Sequence, residues 1–283
     1  MARKKQSRVP ATKTAPDIAL PDPRSMEGVL AIIGRGAAHH ASDGELFEAQ
    51  DLMYAAFEAK GARRAALARQ ALTISSDCAD AYLLLAEETA ANVEEARELL
   101  EQGVAAGERS LGPGAFAEDA GHFWGILETR PYMRARAALA VTLWAVGRRE
   151  DAVQHHRDLL HLNPNDNQGL RYLQAEWLLW LESYEELDEL FAAYEDDAAA
   201  AFTYTKALAA YRREGDVAGA RDLLAEAREE NPHVPAYLAG RKALPKRLPD
   251  YVGFGDESEA IDYAAGAAAL WASVPGALAW LVS

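Results

Sequence analysis

The sequence predicts an all-α protein, a solenoid of antiparallel helix pairs, on three observations. The stretch 133–167 carries Leu139, Leu143, Val146, Val153, Leu159, Leu160 and Leu162 at helical spacing, in two stripes broken at Gly147 and stopped before Pro164. That is one helical hairpin. Its landmarks return, because Leu143, Gly147, Ala152 and Pro164 reappear 68 residues later as Tyr211, Gly215, Ala220 and Pro232, twice a period of about 34 that marks stacked helical pairs. Composition agrees: the 283 residues are 50% hydrophobic and 26% charged, rich in Ala and Leu, with few strand patterns.

Taken in order, residues 1–24 have a different texture. Arg3, Lys4, Lys5, Arg8, Lys13 and Arg24 stand against Asp17 and Asp22 among four prolines, so a disordered basic tail is expected. It lacks the apolar core of a signal peptide. A solvated tail is the plain reading; a basic arm touching nucleic acid or an acidic surface is the sharper one. Residues 25–107 read as N-terminal hairpins, two degenerate repeats. A short helix over MEGVLAIIGRG closes at Gly34 and Gly36, and Ser42 with Glu45 makes a capping box. Stretches 45–60 and 63–75 then pair across Gly61, and 79–91 with 93–106 pair across a tight turn at Asn92. In the second pair Ala96 takes the small crossing position, and Tyr82, Leu85 and Leu99 face the seam.

Residues 108–132 interrupt the period as an aromatic connector. A Gly-Pro-Gly breaker precedes Phe116, His122, Phe123 and Trp124, and Thr129 is placed to cap a helix whose first turn holds Pro131. These rings are expected to pack between repeats; the alternative is a binding lip of Phe123, Trp124 and Tyr132. Three repeats follow, over 133–166, 167–200 and 201–234. The linking segment NPNDNQG, from Asn163, presents hydrogen-bond groups to a peptide backbone or a hard cation on one reading and a local turn on the other. The turn is favoured, because the ligand alternation and closing Glu of a calcium loop are missing. Tyr172, Trp177, Trp180, Phe191 and Tyr194 make the middle repeat the expected best-buried unit, with Ser183 in place of the bend glycine. Residues 235–283 should form capping helices: an extended crossing with prolines at 235, 245 and 249, a capping box of Asp256 and Glu259, a helix over 261–272, and a last short one opened by Pro275.

These residues resemble the tetratricopeptide repeat. Gly147 and Gly215 fall at its turn glycine, Ala152 and Ala220 at its helix-crossing position, and Pro164 and Pro232 at its closing proline. Each has a mechanism: Gly accepts the left-handed backbone that ends a helix, a small residue lets two axes approach, and Pro cannot extend a helix. Arg136 and Ala140 replace the repeat's first-helix Trp and Gly, and His156 its second-helix aromatic. The phrase FWGILETRPYMRAR followed by LNPNDNQGLRYL is also similar to a bacterial subgroup of these repeats and, more remotely, to the eukaryotic suppression-of-tumorigenicity family, over residues 115–180. That likeness implies no known chemistry. The repeat resemblance implies a right-handed superhelix whose first helices line a concave groove. Its register puts Arg134, Arg171, Phe202, Lys206, Arg212 and Arg213 there, a positive surface suited to acidic peptide tails or a C-terminal carboxylate.

Charge and chemistry bound the rest. A formal net charge of −15 argues against a general nucleic-acid binder. A lone Cys78 rules out an internal disulfide and a cysteine zinc site and fits a reducing cytoplasm. Seven Lys among 29 basic residues, with the high Ala content, associate with a bacterial source of high genomic GC. No metal or other cofactor is expected, since His39-His40, His155-His156 and His161 lack a ligand spacing, and no phosphate loop, dinucleotide fingerprint or nucleophile elbow occurs. His156, at the aromatic position, should be a packed residue. Residues 264–282 are uncharged, but Ser273 and Pro275 interrupt them and an end helix needs an apolar face, so no membrane span is expected. The expected partner is a protein or peptide. The alternative is a structural subunit, a homo-oligomer or a piece of a larger assembly, joined through exposed apolar residues near Trp271 and Trp280.

Overall fold

A computed structural model describes residues 22–34 and 44–283. The basic arm at residues 1–21, Gly36, His39, His40 and the cap at Ser42 lie outside the described residues. Among the described residues fourteen α-helices follow one another: α1 (Ser25–Gly34), α2 (Gly44–Glu58), α3 (Ala62–Ile74), α4 (Ala79–Thr89), α5 (Val93–Glu118), α6 (Arg130–Ala145), α7 (Arg149–Leu162), α8 (Leu170–Trp180), α9 (Tyr184–Ala193), α10 (Ala200–Glu214), α11 (Ala218–Glu230), α12 (Val234–Leu238), α13 (Glu257–Ser273) and α14 (Ala277–Trp280). No strand occurs among the described residues. Hairpins α2/α3, α4/α5, α6/α7, α8/α9 and α10/α11 each pack within themselves, and α3, α5 and α7 each pack on the helix that opens the next hairpin.

The turns show why these hairpins close. Gly147 has φ +87°, and the next amide, of Arg148, donates to the Leu143 carbonyl at 2.9 Å, satisfying an orphan acceptor at the end of α6. One hairpin later Glu182, at φ +58°, takes that left-handed role while the Ser183 amide donates to the Leu178 carbonyl at 2.9 Å. The bend residue is therefore Glu182 and not Ser183. A side chain at such a backbone costs about 1 kcal/mol. Asn92 and Glu95 cap α5 reciprocally: the Asn92 side chain accepts from the Glu95 amide at 3.0 Å, and Glu95 accepts from the Ala91 amide at 2.9 Å. The Gly-Pro-Gly breaker interrupts this element at Gly112, whose φ of +68° and ψ of 166° are not helical, so Val93–Glu118 is two helical pieces meeting at a kink. Where α5 crosses α6, a Cβ on Gly107 would meet the Tyr132 Cβ at 2.8 Å, so only glycine permits that approach.

Two apolar cores result. Met53, Phe57, Ala68, Leu84 and Leu85 belong to an N-terminal one. A larger one runs from Leu83 and Leu100 through Tyr132, Trp177 and Tyr204 to Trp271 and Leu281. Helix α4 serves both, Leu83 on one side and Leu84 on the other. The largest fully buried side chains are Trp271, Tyr132, Tyr204 and Phe123, none of them in α8 or α9. Tyr172, Trp180 and Tyr194 are only half-buried, which corrects the expectation that this repeat is the best covered. Trp271 and Trp280 are buried too. The exposed patch expected around them is absent, because α13 and α14 turn those rings onto α10: Trp280 stacks on Tyr211 at 4.4 Å, and Trp271 meets Tyr204 at 6.5 Å.

At the start of α13 the Asp256 side chain accepts from the Ser258 and Glu259 amides at 2.7 and 3.3 Å. Glu259 does not reciprocate on Asp256. It is buried, and it accepts from the Ala200 amide at 2.9 Å, Asn231 Nδ2 at 2.8 Å and the Gly255 amide at 2.8 Å, fastening α13 to the first turn of α10. No helix among the described residues is long and apolar enough to cross a membrane.

Candidate partner-binding site

The connector between α5 and α6 is built from two short 3-10 turns, Phe123–Gly125 and Leu127–Thr129. Thr129 does not cap α6. It is buried, and its hydroxyl donates backwards to the carbonyls of Phe123 and Ile126, the latter at 2.8 Å, fixing the connector instead. The Gly121 amide donates to the Leu162 carbonyl at 3.0 Å and ties the connector to the end of α7. Phe123 and Tyr132 are buried and meet Phe116 at 5.3 and 5.1 Å, so neither forms a lip. Trp124 alone of the three stays partly accessible. Arg130 donates to the Trp124 carbonyl at 2.8 Å with its guanidinium 5.0 Å from that ring.

Opposite stands the NPNDNQG turn. Asp166, buried at φ +46°, accepts from the Leu170 and Arg171 amides at 2.8 and 2.9 Å and so caps α8. Burial pushes the Asp166 carboxyl upward, against the pull of those amides and of the Arg171 guanidinium. With Asp166 turned inward, Asn165 and Asn167 turn outward to solvent. A cleft of about 290 Å³ lies between the two segments, lined by Gly121, His122, Trp124, Gly125, Arg130, Asn163, Asn165 and Asn167. Its wall is one indole, the His122 imidazole, three neutral amides and one guanidinium already engaged. The amides and the indole offer hydrogen-bond groups and a flat apolar face to a chain of amides.

The six residues that the repeat register gave to a positive groove do not form one. Arg134 lies between α1, α4 and α6, bidentate on Asp80 at 3.0 and 2.7 Å and on Glu27 at 2.9 and 2.8 Å. Burial alone would lower its pKa, but Asp80 and Glu27 outweigh it and raise it. Arg171 is bound by Asp166 at 3.0 Å and by Asp197. Phe202 is core, edge-on to Phe191 at 4.9 Å and to Tyr172 and Tyr194 at 6.4 Å. Arg212 donates to the Leu179 carbonyl and to Glu182, at 2.8 and 2.6 Å, and Arg213 grips Asp188 at 2.9 and 2.7 Å. Only Lys206, half-buried on α10, has no ion pair among the described residues. The structure brings Arg171 and Phe202 to one ring cluster and keeps Arg134 far from it. Arg171 also borders a second hollow, of about 690 Å³, with Tyr172, Tyr194, Glu230 and Phe254.

Ala152 and Ala220 are buried, Gly215 ends α10 at φ +77°, Pro164 accepts from the Tyr194 hydroxyl at 2.9 Å, and Pro232 follows α11. His156 is fully buried and stacks on Trp177 at 4.5 Å, which in turn stacks on Trp144 at 4.7 Å. Both of its ring nitrogens lack a hydrogen-bond partner, and burial, with His155 nearby, lowers its pKa to about 3.

The two stretches that face each other across the smaller cleft, 121–130 and 162–167, are those whose wording was most distinctive. A family model described as ST7 protein matches residues 40–283. The chain belongs to the ST7 family. Similar proteins include the suppressor of tumorigenicity 7 protein-like of Bos taurus, 32% identical over 233 residues, covering 75% of this chain and 42% of that protein. The human protein of that description is 32% identical over 233 residues, with 75% and 40% covered. The suppressor of tumorigenicity 7 protein of Macaca fascicularis is 32% identical over 229 residues, with 71% and 42% covered. The ST7 likeness thus extends well beyond residues 115–180, and the chain spans 42% or less of these three relatives. No solved structure matches it.

Proposed function

We propose that this chain is a non-catalytic protein-interaction scaffold, a right-handed superhelix of tetratricopeptide-like pairs, whose smaller cleft receives an extended segment of a partner protein. One observation carries the reading: Asn165 and Asn167 turn outward beside Trp124 on an open cleft of about 290 Å³, because Asp166 is held inward. Side-chain amides match the alternating donors and acceptors of a peptide backbone, and an indole supplies rigid contact area at small entropic cost. Successive hairpins that pack end to end, with Gly147, Ala152, Gly215 and Ala220 at turns and crossings, support the repeat architecture. Buried Cys78, its thiol pushed up to about 12 by burial, is chemically quiet and suits a reducing cytoplasm.

Selection from a random-peptide phage library against the full chain tests this. Peptides should be enriched whose affinity falls at least about tenfold on Trp124→Ala, and several-fold on Asn165→Ala, while Lys206→Glu leaves it unchanged. Enrichment indifferent to Trp124 and Asn165 removes the cleft from the reading. Loss on Lys206→Glu alone returns the binding to the face of α10.

A further inference from the structure

Between α12 and α13 the chain runs without regular helix through Pro245 and Pro249. Within these residues the apolar pattern inverts. Tyr251 is 76% and Phe254 80% exposed, and Leu244, Leu248 and Val252 are exposed beside them. A folded chain seldom strands five large apolar side chains in one short segment unless something covers them. The charge inverts as well. In a chain of net charge −15, residues 241–254 hold Arg241, Lys242, Lys246 and Arg247 against Asp250 alone. Lys242 pairs with Glu257 at 2.6 Å and Arg247 with Asp250 at 3.0 Å, while Arg241 and Lys246 have no ion pair among the described residues.

The segment is held at both ends. The Lys242 amide donates to the Ala236 carbonyl at 2.9 Å, and Asn231 Nδ2 donates to the Asp256 carbonyl at 2.9 Å. Its rings are therefore presented from a fixed base.

We propose that the 241–254 loop docks on an anionic lipid bilayer, with Tyr251 and Phe254 at the headgroup boundary and Arg241 and Lys246 against lipid phosphates and carboxylates. Charge complementarity selects that occupant: cations alternate with apolar groups, the composition that binds an interface by combined burial and attraction. Beside the loop Asp250 pairs with Arg247 and Glu257 with Lys242; Glu195, Asp196 and Glu230 border the same hollow as Phe254 and limit the approach of that ring, while charges more than about 10 Å away are screened at about 0.1 M salt.

Flotation of the full chain with vesicles of phosphatidylcholine alone, and with about 30% phosphatidylserine added, tests the proposal. The chain should float with the anionic vesicles at low salt and remain behind with the neutral ones. Two variants, Tyr251→Ser with Phe254→Ser and Arg241→Glu with Lys246→Glu, should each lower the bound fraction about tenfold or more. Both alter exposed side chains, so their circular-dichroism melts should overlay the parent's. Absence of flotation, equal flotation on both vesicles, or indifference to the Tyr251 and Phe254 changes overturns the proposal. So does retention on immobilised polyglutamate without vesicle binding, which assigns the loop to an acidic protein segment. Self-association in sedimentation that the same variants abolish also overturns it, by making a second copy the occupant.

Discussion

Two seams between neighbouring helices solve the same packing problem in opposite ways. Where α1 and α4 meet α6, the seam is ionic: Arg134 is forked between fully buried Asp80 and Glu27, and Gln50 donates to Asp80 at 2.8 Å. Where α6 and α7 meet α8, the seam is a stack of Trp144, Trp177 and His156, and its one polar member has no partner for either nitrogen. The first seam is specific because every charge is answered, and costly if one is removed. The second tolerates change in shape poorly and change in protonation worse. Neighbouring helical pairs thus acquire different weaknesses from the residues that fill them.

The largest way to break that contrast is at Arg134. Arg134→Ala leaves Asp80 and Glu27 without their shared cation, and the loss should be about 3–5 kcal/mol by urea unfolding. A loss under about 1 kcal/mol would mean that the seam is no more than surface pairing. Second comes the aromatic seam. His156 has its pKa lowered to about 3 by burial, against an unfolded value near 6.5. Its neutral form favours the fold fully above about pH 6.5, and that stability is lost progressively as pH falls toward about 3. Between pH 7 and 5 the wild type should lose about 2 kcal/mol more than His156→Phe does in parallel melts. Equal acid limbs for the two would dismiss the imidazole as the weak point.

Smaller effects sharpen the comparison at the turns. Gly147→Ala forces a Cβ onto φ +87° and should cost about 1 kcal/mol. Glu182→Gly relieves the corresponding strain one hairpin later, but gives up an exposed contact with Arg212. Its net gain should be at most about 0.5 kcal/mol, read as a small rise in melting temperature. Smallest of all, Arg213→Ala, on a largely exposed pair with Asp188, should move stability by less than about 0.5 kcal/mol.

What was legible in the sequence was local. Gly147, Gly215 and Pro164 mark turns through their own backbone preferences, so hairpins α6/α7 and α10/α11 could be drawn from spacing, while α2 to α5 keep the period less regularly and the α8/α9 bend falls at Glu182 and not Ser183. The intended groove failed because a repeat register places a side chain without its partner. Asp80 and Glu27 lie 54 and 107 residues before Arg134, and no pattern near Arg134 announces them. Trp271 and Trp280 failed similarly: a terminal apolar helix reads alike whether it faces solvent or folds back on α10. The smaller cleft was half-legible. Both of its walls were distinctive as words, yet the Gly121 to Leu162 hydrogen bond that joins them follows from no periodicity.

Helix α4 is a party wall. With Leu83 in one core and Leu84 in the other, each compartment borrows half its shelter from the same eleven residues Ala79–Thr89. The compartments meet at that wall, at α5 through Leu99 and Leu100, and at the Arg134–Glu27 pair, so a pull or a protease at the amino-terminal side should strip α2 and α3 before it reaches the larger core. Whatever is bound beyond the wall keeps its seat while the near side opens.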